Sequence, residues 1–173
     1  MLASTSHSIK HREHAKDVFY TPESLVRIHL EEVKTVFSKG IILDSFKGKG
    51  AYYKLYNEYF PESTFEWCEI TDNKDFFTYT EKVDAIITNP PYSIIDKVLQ
   101  KSVDLQPQVI SYLIGIGNLT AKRVEFMNSK GYELCLLHIT KVFEWYGMSA
   151  IATFRKCDGI CHNVVMFDRK VHR

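Results

Sequence analysis

Three apolar runs punctuate the chain: Ile41 to Leu43, Ala85 to Thr88, and Gln108 to Gly115. They are rich in β-branched residues and lack polar alternation, the pattern of strands buried on both faces of a parallel sheet. Thr64 to Ile70, Tyr132 to Thr140, Ser149 to Phe154 and Asn163 to Phe167 are predicted as further strands, the last two joined by a Cys-Asp-Gly turn. Helical rhythm falls between them. Thr21 can cap a helix that starts at Pro22 and carries Leu25, Val26, Ile28, Leu30 and Val33 on its apolar side. Tyr52 to Tyr59 is helical in rhythm and ends before Pro61, Ile94 to Val103 is amphipathic, and Thr120 caps a helix through Asn128 that Gly131 stops. Such alternation predicts an α/β domain: an open, mostly parallel sheet wrapped by helices, with one antiparallel strand near the carboxyl end. Right-handed crossovers would then gather the residues that follow each strand at one edge.

Those residues are chemically distinctive. After the strand ending at Thr88 comes Asn89-Pro90-Pro91-Tyr92. Each proline fixes its own φ and holds the preceding residue extended, so Asn89 and Pro90 stay just past the strand's end. The loop is rich in acceptors, because proline offers a carbonyl without an N–H. Asn89 adds a side-chain oxygen and Tyr92 a flat ring. Acceptors beside a stacking platform suit a planar group that bears an NH2. The first buried strand runs into Asp44-Ser45-Phe46-Lys47-Gly48-Lys49-Gly50, a glycine loop that allows a tight turn and close approach to a ligand. Lys47 and Lys49 read as solvated. Glu69 follows the second strand at about the 20-residue distance at which an acidic group accepts from ribose hydroxyls in nucleoside-binding folds. Asp72 competes with it for that role. Asp75-Phe76 comes next, and Phe19-Tyr20-Thr21-Pro22 precedes the first helix.

Together these motifs, which cover roughly the amino-terminal half of the chain, resemble the S-adenosylmethionine-dependent amino-methyltransferases with an Asn-Pro-Pro-Tyr signature. The similarity is greatest to the DNA adenine-N6 enzymes, with Ser45 where that family usually has proline. The resemblance implies a doubly wound, Rossmann-like methyltransferase sheet. It implies S-adenosyl-L-methionine as cofactor, bound by Tyr20, Thr21, Asp44, Phe46, Gly48, Gly50, Glu69, Asp75 and Phe76. In this reading Asp44 takes the ammonium, Tyr20 and Thr21 pack on the methionine end, and Asp75 accepts from the adenine amine. Asn89, Pro90 and Tyr92 become the catalytic residues. Tyr92 and Trp145 would hold the target base, with Phe143 and Tyr146 as further aromatics of the same region. The same motif also serves RNA adenine-N6 and protein-glutamine N5 enzymes. A catalytically silent nucleic-acid-binding subunit of this fold is the alternative of a different class.

Composition narrows the picture further. With 45% hydrophobic and 25% charged residues among 173, the chain is an ordinary globular protein of one-domain size. Residues 1–16, polar and rich in His and Ser, read as a flexible arm, and 17–173 as a single domain without a separate target-recognition domain. No apolar run reaches the ~20 residues of a membrane span, which points to the cytoplasm, or to a host's cytoplasm if the gene is viral. The net charge of +1 makes no case for a polyanion partner by itself. A DNA partner (or RNA) rests on the motifs; either short loops at 115–120 and 143–147 suffice for site reading, or specificity is low, or a separate specificity subunit supplies it, and a homodimer is possible. Cys68, Cys135, Cys157 and Cys161 read as reduced thiols, since their spacing is not that of a zinc site. No metal is called for.

Overall fold

The computed structural model describes residues 21–141, 148–157 and 164–171, the last of these as backbone. Helix α1, Glu23–Val33, starts after Pro22, whose missing N–H costs nothing at a helix start. Its stripe of Leu25, Val26, His29, Leu30 and Val33 is buried. Strand β1 (Ile41–Asp44) leads through the glycine loop to a short helix, α2 (Tyr56–Tyr59), and then to β2 (Thr64–Trp67). Two single turns of 3-10 helix follow, Ile70–Asp72 and Phe76–Thr78. Then come β3 (Ala85–Thr88), α3 (Ile95–Asp104), β4 (Val109–Gly115), α4 (Ala121–Ser129), β5 (Tyr132–Lys141), β6 (Ser149–Lys156) and β7 (Val164–Val171).

The strands form one seven-stranded sheet in the order β2-β1-β3-β4-β6-β5-β7. The β2–β1, β1–β3 and β3–β4 pairings are parallel, β6 is antiparallel to both β4 and β5, and β7 is parallel to β5. The expected mostly parallel sheet with one antiparallel strand is therefore present. Period-two alternation divides the core between the two faces. Ile42, Ala85 and Ile87 pack with Val26, Leu30, Val33 and Tyr56 on one side. Leu43, Ile86 and Ile110 pack with Val98, Leu99 and Phe154 on the other. Because both faces are covered, these strands carry no polar alternation.

Four expectations need correction. The last two strands do not pair with each other: β6 is flanked by β4 and β5, so both its edges are taken and β7 joins the outer edge of β5. Thr21 makes no cap for α1, because its hydroxyl accepts from the Asn89 side chain at 3.1 Å. The helix expected over Tyr52 to Tyr59 is regular only from Tyr56. Cys68 and Cys135 are free and buried, but Cys157 is disulfide-bonded rather than reduced. Among the described residues no helix is long and apolar enough to cross a membrane.

From β1 the chain moves outward to β2, then crosses to β3 on the opposite side of β1. That reversal opens a crevice at the carboxyl ends of β1 and β3, where open α/β sheets take their ligands.

Candidate active site

Asp44, the last residue of β1, is completely buried at this crevice. The hydroxyl of Thr88, last residue of β3, donates to its Oδ1 at 2.7 Å, so the two strand ends are tied together. Asp44 Oδ2 and the neighbouring Ser45 Oγ are buried without a hydrogen-bond partner among the described residues. Burial pushes the Asp44 carboxyl up to about 7 from 3.8, and Glu69 adds to the rise. The hydrogen bonds from Thr88 and the Phe46 backbone, and the charge of Lys47, act in the opposite direction. A half-satisfied buried carboxylate is costly, and the cost is offset when a cation supplies the missing partner.

The glycine loop is fastened to the end of β2. Lys47 N donates to the Cys68 carbonyl at 2.9 Å, Cys68 N donates to that of Asp44 at 2.9 Å, and Gly48 N donates to Glu69 Oε2 at 2.8 Å. Gly48 and Gly50 have φ of +51° and +78°, the left-handed region that side chains with a Cβ rarely occupy. A Cβ on Gly48 would meet nothing within 4 Å, so the loop has open space on that side. Glu69 also accepts from Thr71 through its other oxygen, which caps the first 3-10 turn. Asp75 caps the second, with Oδ1 accepting from Phe77 N at 2.9 Å. Phe76 is buried and meets the half-buried Phe46 edge-on, with ring centroids 5.3 Å apart.

Asn89 follows Thr88 directly, which places its carboxamide one residue from the Asp44 contact. Its Nδ2 donates to Thr21 Oγ1 at 3.1 Å. Pro90 is buried, while Tyr92 is half-buried against the apolar cluster that contains Phe76 and Ile95. The structure therefore brings Thr21, Asp44, Phe46, Gly48, Gly50, Glu69, Asp75, Phe76, Asn89, Pro90 and Tyr92 to one end of the sheet. Tyr20 and Trp145, with Phe143 and Tyr146, lie outside the described residues.

Three features went unread in the sequence. Thr88 reads in the sequence only as strand, although a hydroxyl at a strand end is a ready partner for a buried aspartate. Ile70, next to Glu69, is 72% exposed, an apolar side chain left bare. Lys47, though partly exposed, also packs on an aromatic face: its Nζ lies 3.3 Å from the centroid of the Trp67 ring and 3.4 Å from Asp72, with Lys74 over the same ring at 3.8 Å.

Comparison with known proteins finds no matching family model and no matching curated protein. Solved structures do match. The Mtq2–Trm112 complex of E. cuniculi, described as responsible for methylating the eRF1 termination factor, aligns with TM-score 0.64 at 14% identity. That alignment covers 82% of this chain and 99% of that one. A precorrin-6y C5,15-methyltransferase from Geobacter metallireducens aligns with TM-score 0.56 at 14% identity, over 78% of this chain and 87% of that one. The methyltransferase subunit of a type I restriction-modification system from Streptococcus thermophilus aligns with TM-score 0.59 at 12% identity. There 80% of this chain matches, but only 45% of the larger subunit. At such identities the likeness is one of fold: the chain has the Rossmann-like sheet of these methyltransferases.

Proposed function

We propose that the protein is an S-adenosylmethionine-dependent methyltransferase that modifies the exocyclic N6 amine of adenine in DNA. One observation carries this reading: the buried, half-satisfied carboxylate of Asp44 and the carboxamide of Asn89 share a single strand-end junction through Thr88. A cation-seeking acceptor and an amine-seeking acceptor then stand side by side.

The residues present fit the cofactor. Asp44 Oδ2 and Ser45 Oγ would accept from its ammonium group, Glu69 from the ribose hydroxyls, and Asp75 from the adenine amine. A carboxylate has about four acceptor positions, so Glu69 can serve Gly48, Thr71 and a ribose together. Ile70 and Phe46 would give the adenine ring apolar surface. When bound, the cofactor supplies the electrophilic sulfonium methyl that is transferred.

The chain's own groups prepare the acceptor nitrogen. An adenine amine is a weak nucleophile because its lone pair is drawn into the ring. Asn89 Oδ1 and the Pro90 carbonyl accept its two hydrogens, which lets the nitrogen become pyramidal and stabilises the positive charge that builds on it. Tyr92 stacks on a base turned out of its duplex or already unpaired. Alignment of the two partners would account for much of the remaining acceleration.

The test is transfer of labelled methyl to duplex DNA, unpaired DNA, RNA and peptide, with expected label on adenine N6 in DNA. Asn89→Ala should lower turnover by at least ~10²-fold, the loss typical when one preorganised polar group is removed, while cofactor binding persists. A second reading, methylation of a protein side-chain amide, draws on Mtq2, which acts on a protein and matches this chain over nearly its whole length. Label in peptide with bare DNA would establish that reading instead. Cofactor binding without transfer to any substrate would identify a silent subunit.

A further inference from the structure

His29 lies on the buried stripe of α1 with no exposed surface, yet both its ring nitrogens are engaged. Nδ1 is 2.8 Å from the Tyr52 hydroxyl and Nε2 is 2.7 Å from Ser111 Oγ. Ser111 Oγ is in turn 2.6 Å from Thr153 Oγ1. At the other end, Tyr52 shares a hydrogen bond with Thr21, the residue whose Oγ1 receives the Asn89 amide. A continuous line of polar groups thus runs from Asn89 through Thr21, Tyr52, His29 and Ser111 to Thr153. It crosses from the loop before α1, through that helix, to β4 and β6. Tyr52, His29, Ser111 and Thr153 are all buried, so no solvent competes for the bonds among them.

The orientation of Asn89, with Nδ2 turned toward Thr21, gives the line a direction. The Asn89 Nδ2 group can only donate, so Thr21 Oγ1 accepts and has one hydrogen left for the Tyr52 oxygen. Tyr52 then gives its hydrogen to His29 Nδ1, which leaves Nε2–H to donate to Ser111 and the Ser111 hydrogen for Thr153. Every hydroxyl between the two ends donates once and accepts once only if His29 is neutral. Buried among Leu25, Val26 and Leu30 of its own helix, and with the basic ring of His138 adding to the effect, His29 has its pKa lowered to about 3 and stays neutral at working pH. His138 in turn pairs with Glu32 of α1, and Asp44, Tyr56 and Tyr92 are further titratable groups near Tyr52.

We infer that His29 and Tyr52 are positioning residues: through Thr21 they hold the Asn89 carboxamide one way round, with Nδ2 turned inward and Oδ1 on the arm that serves the reacting amine. A carboxamide is nearly symmetric in shape, so packing alone cannot tell its two arms apart. A donor in place of the acceptor would repel the amine's hydrogens. The line ties that choice to the tautomer of His29, since Nδ2 inward goes with Nε2–H, and it ends at Thr153 in β6, between β4 and β5. This role rests on the methyltransferase reading for its chemistry but not for its hydrogen bonding.

The experiment has two independent parts. In the wild-type protein, 15N-resolved NMR should find His29 as the Nε2–H tautomer and the Asn89 side-chain amide protected from solvent exchange. Tyr52→Phe and Thr21→Val, which keep volume but remove a hydroxyl, should each speed that exchange. In the transfer assay both variants should lower kcat about tenfold, the worth of one hydrogen bond, and Tyr52→Phe should leave KM for the cofactor within about twofold of wild type. Thr21→Ser, which restores the hydroxyl, should recover both readouts. An Nδ1–H tautomer, or amide exchange and kcat both unmoved in Tyr52→Phe and Thr21→Val, overturns the inference. A protected amide and the Nε2–H tautomer in a protein that transfers no methyl would uphold the hydrogen-bonded line and refute the proposed reaction.

Discussion

Asp44 offers the sharpest test of cofactor binding, because its carboxyl sits at about 7 in the free protein. A cationic ammonium beside Oδ2 would draw that value down, so binding must expel whatever proton the carboxyl carries. At pH 6 a group titrating at 7 is about 90% protonated, and binding should release about 0.9 proton. Affinity for S-adenosylmethionine should then fall nearly tenfold per pH unit below 7, and by roughly 20-fold between pH 7.5 and pH 5.5. This window lies below the titration of the cofactor's own amine, at about 7.7 to 8.0 for an ordinary α-amino group. Asp44→Asn keeps the shape and removes the charge. At pH 7.5 it should weaken binding by ~1.5–3 kcal/mol, the range for a hydrogen bond to a charged group. Its affinity should not change with pH, so the wild-type and variant curves converge in acid. Isothermal titration calorimetry in two buffers of different ionisation enthalpy reads both affinity and proton release. A flat wild-type affinity from pH 5.5 to 7.5 with no proton released would refute the pairing of Asp44 with an ammonium.

His29, lowered to about 3 from 6.5, costs the folded state stability as pH falls from 6.5, since only the unfolded chain takes the proton. Asp44, raised to about 7 from 3.8, does the reverse, because only the folded state is protonated between those values. The two slopes oppose each other between pH 6.5 and 3.8, so Asp44→Asn should uncover a loss of about 1.4 kcal/mol per pH unit in urea denaturation. A variant with the wild-type slope would contradict this. Gly48→Ala should cost about 1 kcal/mol in thermal unfolding from its positive φ alone and should weaken cofactor binding, as nothing obstructs the added Cβ itself. Tyr56→Phe deletes a fully buried hydroxyl that donates to the Ile87 carbonyl at 2.5 Å, so it should cost about 1 kcal/mol and leave transfer per folded molecule unchanged.

Much of this architecture was legible because its signals are local. An unalternating β-branched run such as Ala85 to Thr88 can only be a strand covered on both sides, and Thr120 caps α4 by accepting from Arg123 N, as its position implied. Parts that depend on a distant partner were not. Thr21 has the chemistry of a helix cap, and only the fold reveals that Asn89, 68 residues away, claims its oxygen. β7 reads as half of a terminal pair until β6 is seen between β4 and β5. His29 could have been found earlier: it occupies the same helical stripe as Leu25 and Val33, and an imidazole on an apolar stripe requires buried partners. Nothing in the sequence around Lys47 marked it for the face of Trp67, since that contact depends on how the glycine loop returns over β2. Conversely, the converging placement of Asp44, Glu69, Asp75 and Asn89 needed only chain order and the handedness of crossovers.

The insertion of β6 between two strands made before it dictates an order of assembly. Until Ser149–Lys156 has been synthesised, β4 and β5 have no common neighbour, and each presents a bare margin of peptide groups to the solvent. Closure of the right-hand half must therefore await a late segment. A nascent or truncated chain that stops at residue 141 is a template for foreign strands, vulnerable to aggregation in a way the finished molecule is not.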